Sequence, residues 1–334
     1  MRIVVTGGAG FLGSHLCDRL LSGGHEVLCV DNLLTGRRSN IAHILDHPRF
    51  EFQERDITES VEMGRAVDAV LHFASPASPV DYSRFSLETL RVGSLGTMRM
   101  LELADHHRAR FVLASTSEVY GDPMVHPQKE TYWGNVNPIG PRSMYDEAKR
   151  YAEALVSAHR IKRETNTGIA RIFNTYGPRM RPNDGRAIPT FITQALSGDP
   201  VTVSGDGLQT RSVCYVDDLV EGIVKLLVSG VAGPVNIGNP HEMSVLDLAL
   251  LTIDLCDAEV PIIFTPRPGD DPTVRQPDIT RAREEIGWNP TVDIRSGLIR
   301  TIEWFRTELI KTPTPPAVVP SPRPGQDRPT RASH

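Results

Sequence analysis

The chain opens on Arg2-Ile3-Val4-Val5-Thr6, an apolar run of strand length that feeds straight into Gly7-Gly8-Ala9-Gly10-Phe11-Leu12-Gly13. Gly8, Gly10 and Gly13 fit the spacing G-x-G-x-x-G, with a further glycine at position 7. Ser14 to Leu21 reads as a helix ended by Ser22-Gly23-Gly24, and Glu26-Val27-Leu28-Cys29-Val30 reads as a second strand closed by Asp31. Glycines let a backbone approach a pyrophosphate at a helix N-terminus, and a carboxylate about 20 residues on accepts hydrogen bonds from an adenosine ribose. The glycine pattern alone is weak evidence. Strand, loop, helix, strand and acid in that order predict a dinucleotide site. Asp31 would repel a 2′-phosphate, which favours NAD over NADP. Arg37 and Arg38 are the counter-evidence, since they follow closely enough to pair with such a phosphate unless they belong to a solvated loop.

Further strand patterns at Asp68 to Ala74, Arg110 to Ser115 and Gly168 to Phe173 are separated by stretches long enough for helices. This alternation predicts an α/β fold, a doubly wound parallel sheet. Ligands of such sheets lie beyond the carboxyl ends of the strands, so Ala74-Ser75-Pro76, Thr116-Ser117-Glu118 and Asn174-Thr175 are expected to face one crevice. Residues 1–175 are read as the dinucleotide-binding domain, completed by segments near 210–240. Residues 176–311 are read mainly as a smaller substrate-binding lobe, and 312–334, rich in proline with little to bury, as an extended or disordered tail.

At 334 residues the chain is long enough to bury a substantial core. A net charge of −5 with acids and bases mixed along the chain offers no basic field for nucleic acid and no polybasic membrane patch. Cys17, Cys29, Cys214 and Cys256 show no metal-ligand spacing, and no signal peptide or spanning apolar run is evident. No metal, no nucleic-acid partner, no membrane and a reduced, cytoplasmic setting are expected.

Tyr145 and Lys149 are four residues apart, so on a helix both point to one face. A phenol titrates near pH 10, and a nearby ammonium favours the phenolate, so the lysine is expected to activate the tyrosine as a base. Taken alone, that spacing also describes an ordinary surface pair. Gly177-Pro178-Arg179-Met180-Arg181-Pro182-Asn183-Asp184-Gly185-Arg186 is too rich in turn formers and charge for a regular element and reads as a functional loop. Its arginines, with Arg211, supply forked cations suited to phosphate oxygens.

Together the glycine loop, Asp31, Tyr145/Lys149 and Asn174-Thr175-Tyr176-Gly177-Pro178-Arg179 resemble the extended short-chain dehydrogenase/reductase superfamily, which modifies nucleotide sugars. More narrowly, His72-Phe73-Ala74-Ser75-Pro76-Ala77-Ser78-Pro79, Ser115 to Asp122, Tyr132 to Arg142 and Arg275-Gln276-Pro277-Asp278-Ile279 resemble the UDP-glucuronic acid decarboxylases, or UDP-xylose synthases, over roughly residues 1–310. The resemblance implies C4 oxidation by NAD, with Tyr145 taking the hydroxyl proton and Lys149 supporting it. The resulting β-keto acid loses its C6 carboxylate as carbon dioxide, and the stored hydride returns to C4. Thr116 or Ser117 would bond near the C4 oxygen, while Glu118 and Arg275 would manage the carboxylate and the enolate proton. NAD contacts are implied at Gly7, Gly10, Phe11, Leu12 and Gly13, at Asp31, Asn32, Thr35 and Gly36, at Asp56 and Ile57, and at Ala74, Tyr145, Lys149, Thr175 and Arg186, with Lys149 on the nicotinamide ribose. Contacts to the UDP-sugar are implied at Pro76, Ser78, Asn174, Arg179, Arg181, Arg211, Tyr215 and Arg275.

Related chemistries remain open. A 4,6-dehydratase typically carries an Asp-Glu pair after the Thr, where this chain has Ser117 before Glu118, and a 4-epimerase does not need Glu118 or Arg275 in these places. A catalytically silent NAD-binding regulator is the reading from another class. Homodimers of the family pair helices beside the catalytic helix, and Leu87 to His106 is expected to supply one, although a helix packed on its own sheet reads the same. The chain departs from the family at Gly93, usually Asn, at Ala148, usually Gly, and at Gln276, usually Lys. Gly93→Asn is accordingly expected to leave turnover unchanged or higher.

Overall fold

The computed structural model describes residues 1–59 and 64–311, so the expected tail at 312–334 lies outside the described residues. Six strands, β1 (Arg2–Thr6), β2 (Glu26–Asp31), β3 (Phe50–Glu54), β4 (Ala69–His72), β5 (Arg110–Thr116) and β6 (Thr167–Ile172), join Pro234–Ile237 in one sheet. The order is β3, β2, β1, β4, β5, β6, then 234–237. Every pairing is parallel. β1, β4 and β5 are buried along their whole length, as strands covered on both faces must be. Alternation sends Ile3 and Val5 into one apolar cluster and Val4 into another, so each face of the sheet carries its own core.

Helix α1 (Phe11–Ser22) starts at the glycine loop. After β4 come α2 (Pro79–Arg84) and α3 (Ser86–Arg91), then a π-helical turn over Val92–Gly96 and α4 (Thr97–His107). The expected helix from Leu87 to His106 is therefore present, with the π-helical turn inside it, since the residues flanking that turn keep right-handed helical backbone angles. α5 (Ser143–Arg163) carries Tyr145 and Lys149, both buried. β3 has no counterpart in the sequence reading, because its half-exposed FEFQE pattern mixes charge with aromatics.

Beyond β6 the chain leaves the sheet to build α6 (Ala187–Ser197) and later the parallel pair Val201–Ser204 with Ile262–Thr265. Between these, α7 (Val216–Ser229) and Pro234–Ile237 return to the sheet side of the molecule. Residues 177–186 contain no strand or helix. Among the described residues no helix is long and apolar enough to cross a membrane.

Candidate active site

The order of the sheet reverses between β1 and β4, and the cleft opens there, as the geometry of doubly wound sheets requires. Thr6, the last residue of β1, clips the start of the next loop. Its hydroxyl accepts from the N–H groups of Phe73 and Ala74, each at 3.2 Å, and meets His72 Nδ1 at 2.8 Å. His72 Nε2 lies 3.1 Å from the Thr97 hydroxyl, and burial lowers the ring to about 3, so it is neutral at pH 7. This clip presses Ala74 against the glycine loop, and a Cβ on Gly7, whose φ is +69°, would lie 2.8 Å from the Ala74 backbone. A Cβ on Gly13 would overlap the Gly7 carbonyl oxygen. The loop is thus closed to side chains and leaves backbone to face the cleft at the start of α1.

Asp31 sits at the end of β2 with both oxygens fixed, Oδ2 accepting from Ala9 N–H at 3.0 Å and Oδ1 from Leu33 N–H at 2.8 Å. Burial raises its pKa, partly offset by those two bonds. An oriented carboxylate beside a side-chain-free loop fits an adenosine ribose next to its pyrophosphate. Arg37 and Arg38, the residues that argued for a 2′-phosphate, are engaged elsewhere. Arg37 Nη1 bonds Glu308 at 3.2 Å on the C-terminal helix, and the Arg38 guanidinium lies 5.4 Å from the centre of the Phe52 ring. The chain's own residues fit NAD.

The cleft holds about 740 Å³ and runs from Asp31, Asn32, Thr35, Gly36, Asp56 and Ile57 at one end to Gln209, Arg211 and Val245 at the other. Its wall includes Gly7, Gly10, Phe11, Leu12, Gly13, Ala74, Pro76, Ser78, Thr116, Glu118, Tyr145, Lys149, Asn174 and Thr175, and also Arg179, Arg181, Arg186 and Arg211. Three expected residues are not on that wall. Ser117 is 1% exposed beneath the loop, and its carbonyl accepts from Arg275 Nη1. Arg275 is itself 1% exposed, its guanidinium spent on that carbonyl, on Gly121 O at 3.0 Å and on Glu118 Oε2 at 3.2 Å. Tyr215 packs edge-on against Tyr176, 5.6 Å between centroids, with the Arg300 guanidinium 5.6 Å from its ring centre.

Tyr145 and Lys149 occupy successive turns of α5. Lys149 Nζ donates to Ala114 O at 2.9 Å and lies 5.8 Å from the centre of the Tyr145 ring. Burial lowers Lys149 to about 8. Burial also raises Tyr145 beyond the ordinary phenol range, against the lowering effect of the Thr116 hydroxyl. Arg186 also lowers the phenol and Glu118 raises it, while Lys149 is not among the groups that shift it most. Thr116 caps the short turn after β5, its hydroxyl accepting from Glu118 N–H at 3.2 Å. Glu118 is held below the usual carboxylate range: burial pushes it up, but Arg275, Arg142 and Arg211 outweigh that.

The sequence reading missed several groups of the site. Arg142 lines the cleft and donates from Nη2 to Glu118 Oε2 at 2.9 Å. Its signal was present, since it ends the Tyr132-to-Arg142 motif one helical turn before Tyr145. Tyr82 stacks on the Tyr145 ring at 5.1 Å and 12°, and no spacing announces such a contact. The four wall arginines expected from the sequence are each paired with a carboxylate: Arg179 with Asp18 at 2.6 Å, Arg181 with Asp81, Arg186 with Asp184 and Arg211 with Asp271 at 2.8 Å. Ser78 caps α2 and shares Asp81 with Arg181.

The chain matches the NAD dependent epimerase/dehydratase family over residues 3–238. It is 50% identical to UDP-glucuronic acid decarboxylase 1 of Arabidopsis thaliana, over 93% of this chain and 71% of that protein. It is 48% identical to UDP-glucuronic acid decarboxylase 1 of Xenopus tropicalis, over 100% of this chain and 78% of that protein. Among solved structures, a UDP-glucose 4-epimerase of Thermotoga maritima with UDP-glucose superposes with a TM-score of 0.86 at 29% identity, covering 92% of this chain and 100% of that one. A dTDP-glucose 4,6-dehydratase of Streptomyces venezuelae with NAD bound gives 0.85 at 30% identity, covering 93% and 98%. Identity near one half over more than two thirds of each decarboxylase places this chain: it belongs to the UDP-glucuronic acid decarboxylase family, within the NAD dependent epimerase/dehydratases.

Proposed function

We propose that this protein is a carboxy-lyase that converts UDP-glucuronate to UDP-xylose with NAD recycled in the site. The observation that carries the reading is the identity of 50% with a named UDP-glucuronic acid decarboxylase over 93% of the chain. Bound NAD supplies a hydride acceptor and donor for the sugar C4. The glycine loop and Asp31 hold its pyrophosphate and ribose, aided at the loop by Gly10, Phe11 and Leu12, and further along by Asn32, Thr35, Gly36, Asp56, Ile57, Ala74, Thr175 and Arg186. Tyr145 takes and returns the C4 hydroxyl proton, Thr116 bonds the same oxygen, and Lys149 steadies the phenolate. Pro76, Ser78, Asn174, Arg179, Arg181 and Arg211 form the UDP-sugar side, with the arginines exchanging carboxylate partners for phosphate oxygens. Arg275 acts from beneath the wall: it fixes Glu118 and the Ser117 carbonyl, so it orients the reacting loop. Tyr215 supports that lobe through Tyr176.

The structural relatives keep two neighbouring chemistries in view, 4-epimerisation and 4,6-dehydration. Ser117 disfavours dehydration, because it stands where the dehydratase pattern has Asp and is buried. Incubating the protein with UDP-glucuronate and NAD, while following carbon dioxide and the sugar product by mass spectrometry, decides among them. A UDP-pentose with carbon dioxide supports the proposal, and Tyr145→Phe is expected to abolish both. An unchanged mass with C4 inverted means an epimerase, loss of water a dehydratase, and no reaction a silent NAD binder.

A homodimer in the cytoplasm completes the reading. α3 and α5 pack together and leave Leu87 (70% exposed), Leu90 and Tyr151 on the surface, a face suited to a second copy. Light scattering is expected to give twice the chain mass, and a monomer would remove this part of the proposal. Four free, buried cysteines fit a reducing compartment. Localisation of a tagged chain tests the compartment.

A further inference from the structure

The sugar acid brings a carboxylate that no residue on the cleft wall has yet been given. Arg275 is poorly placed to receive it, being 1% exposed with its fork committed to two carbonyls and Glu118. Arg142 is differently situated. It borders the cleft directly ahead of α5, and its carbonyl accepts from Tyr145 N–H at 3.0 Å and Asp146 N–H at 3.2 Å, so its backbone moves with the catalytic helix. Its Nη2 is held by Glu118 at 2.9 Å, its Nη1 lies 3.5 Å from Asp271 Oδ1, and its buried Nε has no hydrogen-bond partner. Asp271 is claimed more closely by Arg211, at 2.8 Å.

The local charges favour one more anion. Arg142, Arg275, Arg211 and Arg267 face Glu118, Asp271 and the buried Asp146, four guanidinium groups against three carboxylates. Arg142 Nη1 is only loosely held, 3.5 Å from Asp271, and a guanidinium arm so placed can turn to a substrate carboxylate, for which a neutral sugar offers no equivalent charge. We propose that Arg142 receives the carboxylate of the sugar acid in the position now held loosely by Asp271, and thereby sets the preference for an acidic over a neutral sugar. The inference rests on the decarboxylase reading. Arg142 holds the ground-state carboxylate, so its loss is read in affinity more than in the chemical step. Glu118, sharing the same guanidinium, keeps that hold from becoming too tight for the C5–C6 bond to break.

The test compares two ligands that differ only by the carboxylate. Dissociation constants of UDP-glucuronate and UDP-xylose are measured by calorimetry on NAD-loaded Tyr145→Phe protein, which cannot turn the substrate over, alone and combined with Arg142→Gln, Arg142→Lys or Arg275→Gln. The Tyr145→Phe parent is expected to bind UDP-glucuronate more tightly. Arg142→Gln should weaken UDP-glucuronate by about tenfold or more while changing UDP-xylose by less than about threefold. Arg142→Lys, which keeps the charge without the fork, should fall between, and it carries the test if the glutamine variant fails to fold. Equal loss for both ligands, or no loss for either, overturns the proposal, and so does a ratio that collapses only in Arg275→Gln. Carbon dioxide release by the wild type separates the two levels. If it is absent, the decarboxylase reading fails; if it is present with an unchanged ratio in both Arg142 variants, only the role of Arg142 fails.

Discussion

A Cβ built on Gly93 would lie 2.7 Å from Ala148 Cβ and 3.0 Å from the Ala148 carbonyl oxygen, so the π-helical turn and α5 touch where neither has room to give. The family resemblance implies Asn and Gly at these two positions, which would place the side chain on the other side of this same contact. This reverses the expectation that Gly93→Asn would be harmless. Gly93→Ala or Gly93→Asn should cost about 1–3 kcal/mol by overpacking and lower turnover by displacing the helix that carries Tyr145. The double variant Gly93→Asn/Ala148→Gly should recover most of both. Urea midpoints and steady-state rates for the two single variants and the pair check this, and a pair no better than Gly93→Asn alone would sink it. At this scale the sequence showed which residue types gather, but not where each guanidinium is spent. Asp31 could be placed because its position follows from the strand it ends. Arg275 and Arg142 could not be ranked, because only packing separates a buried fork from one on the wall.

α5 was legible from the four-residue spacing of Tyr145 and Lys149, and β1, β2, β5 and β6 from their apolar runs. β3 and the π-helical turn at Val92–Gly96 were not, since a half-exposed edge strand and a π-turn leave no clear period. The first turn of α5 also holds a group that no pattern announced. Asp146 is 6% exposed, its Oδ1 has no hydrogen-bond partner, and burial followed by the Glu118 charge raises it to about 7, against opposing effects of Arg142 and Arg275. Its folded pKa exceeds the unfolded value of 3.8. Its contribution to stability is therefore fully present below about pH 4 and is lost as the pH rises through about 7. Asp146→Asn should then stabilise the protein at pH 8 by an amount on the order of 2–4 kcal/mol and do little at pH 4. Urea titrations at the two pH values read this directly. An equal effect at both would mean that the carboxyl is not titrating in the folded protein.

For the whole molecule, the sequence suggested a change of texture near residue 176 and hence two lobes, yet one apolar cluster runs through both. It joins Ile3 and Leu16 at the sheet to Leu219 and Ile223 on α7, and continues to Phe191, Val201, Leu248 and Phe305. Polar ties follow the same route. The Asp218 carboxylate on α7 accepts from the N–H groups of Thr291 and Val292 at 2.9 and 2.8 Å, the Trp288 indole donates to the Asp218 carbonyl at 2.9 Å, and Arg37 reaches Glu308 at 3.2 Å. Such continuity could not be read from the chain, because the residues that fasten the second lobe lie far along the sequence from the elements they hold. A lobe without its own core cannot unfold alone, so calorimetry should show a single transition for residues 1–311. NAD at the sheet end and UDP at the far end should each raise that same transition. Each is worth about 2.7 kcal/mol at a hundredfold excess over its dissociation constant. Two transitions, or a UDP shift confined to one of them, would show that the cleft lies between separable bodies. Its carboxylate-paired arginines would then be hinge contacts rather than parts of one rigid wall.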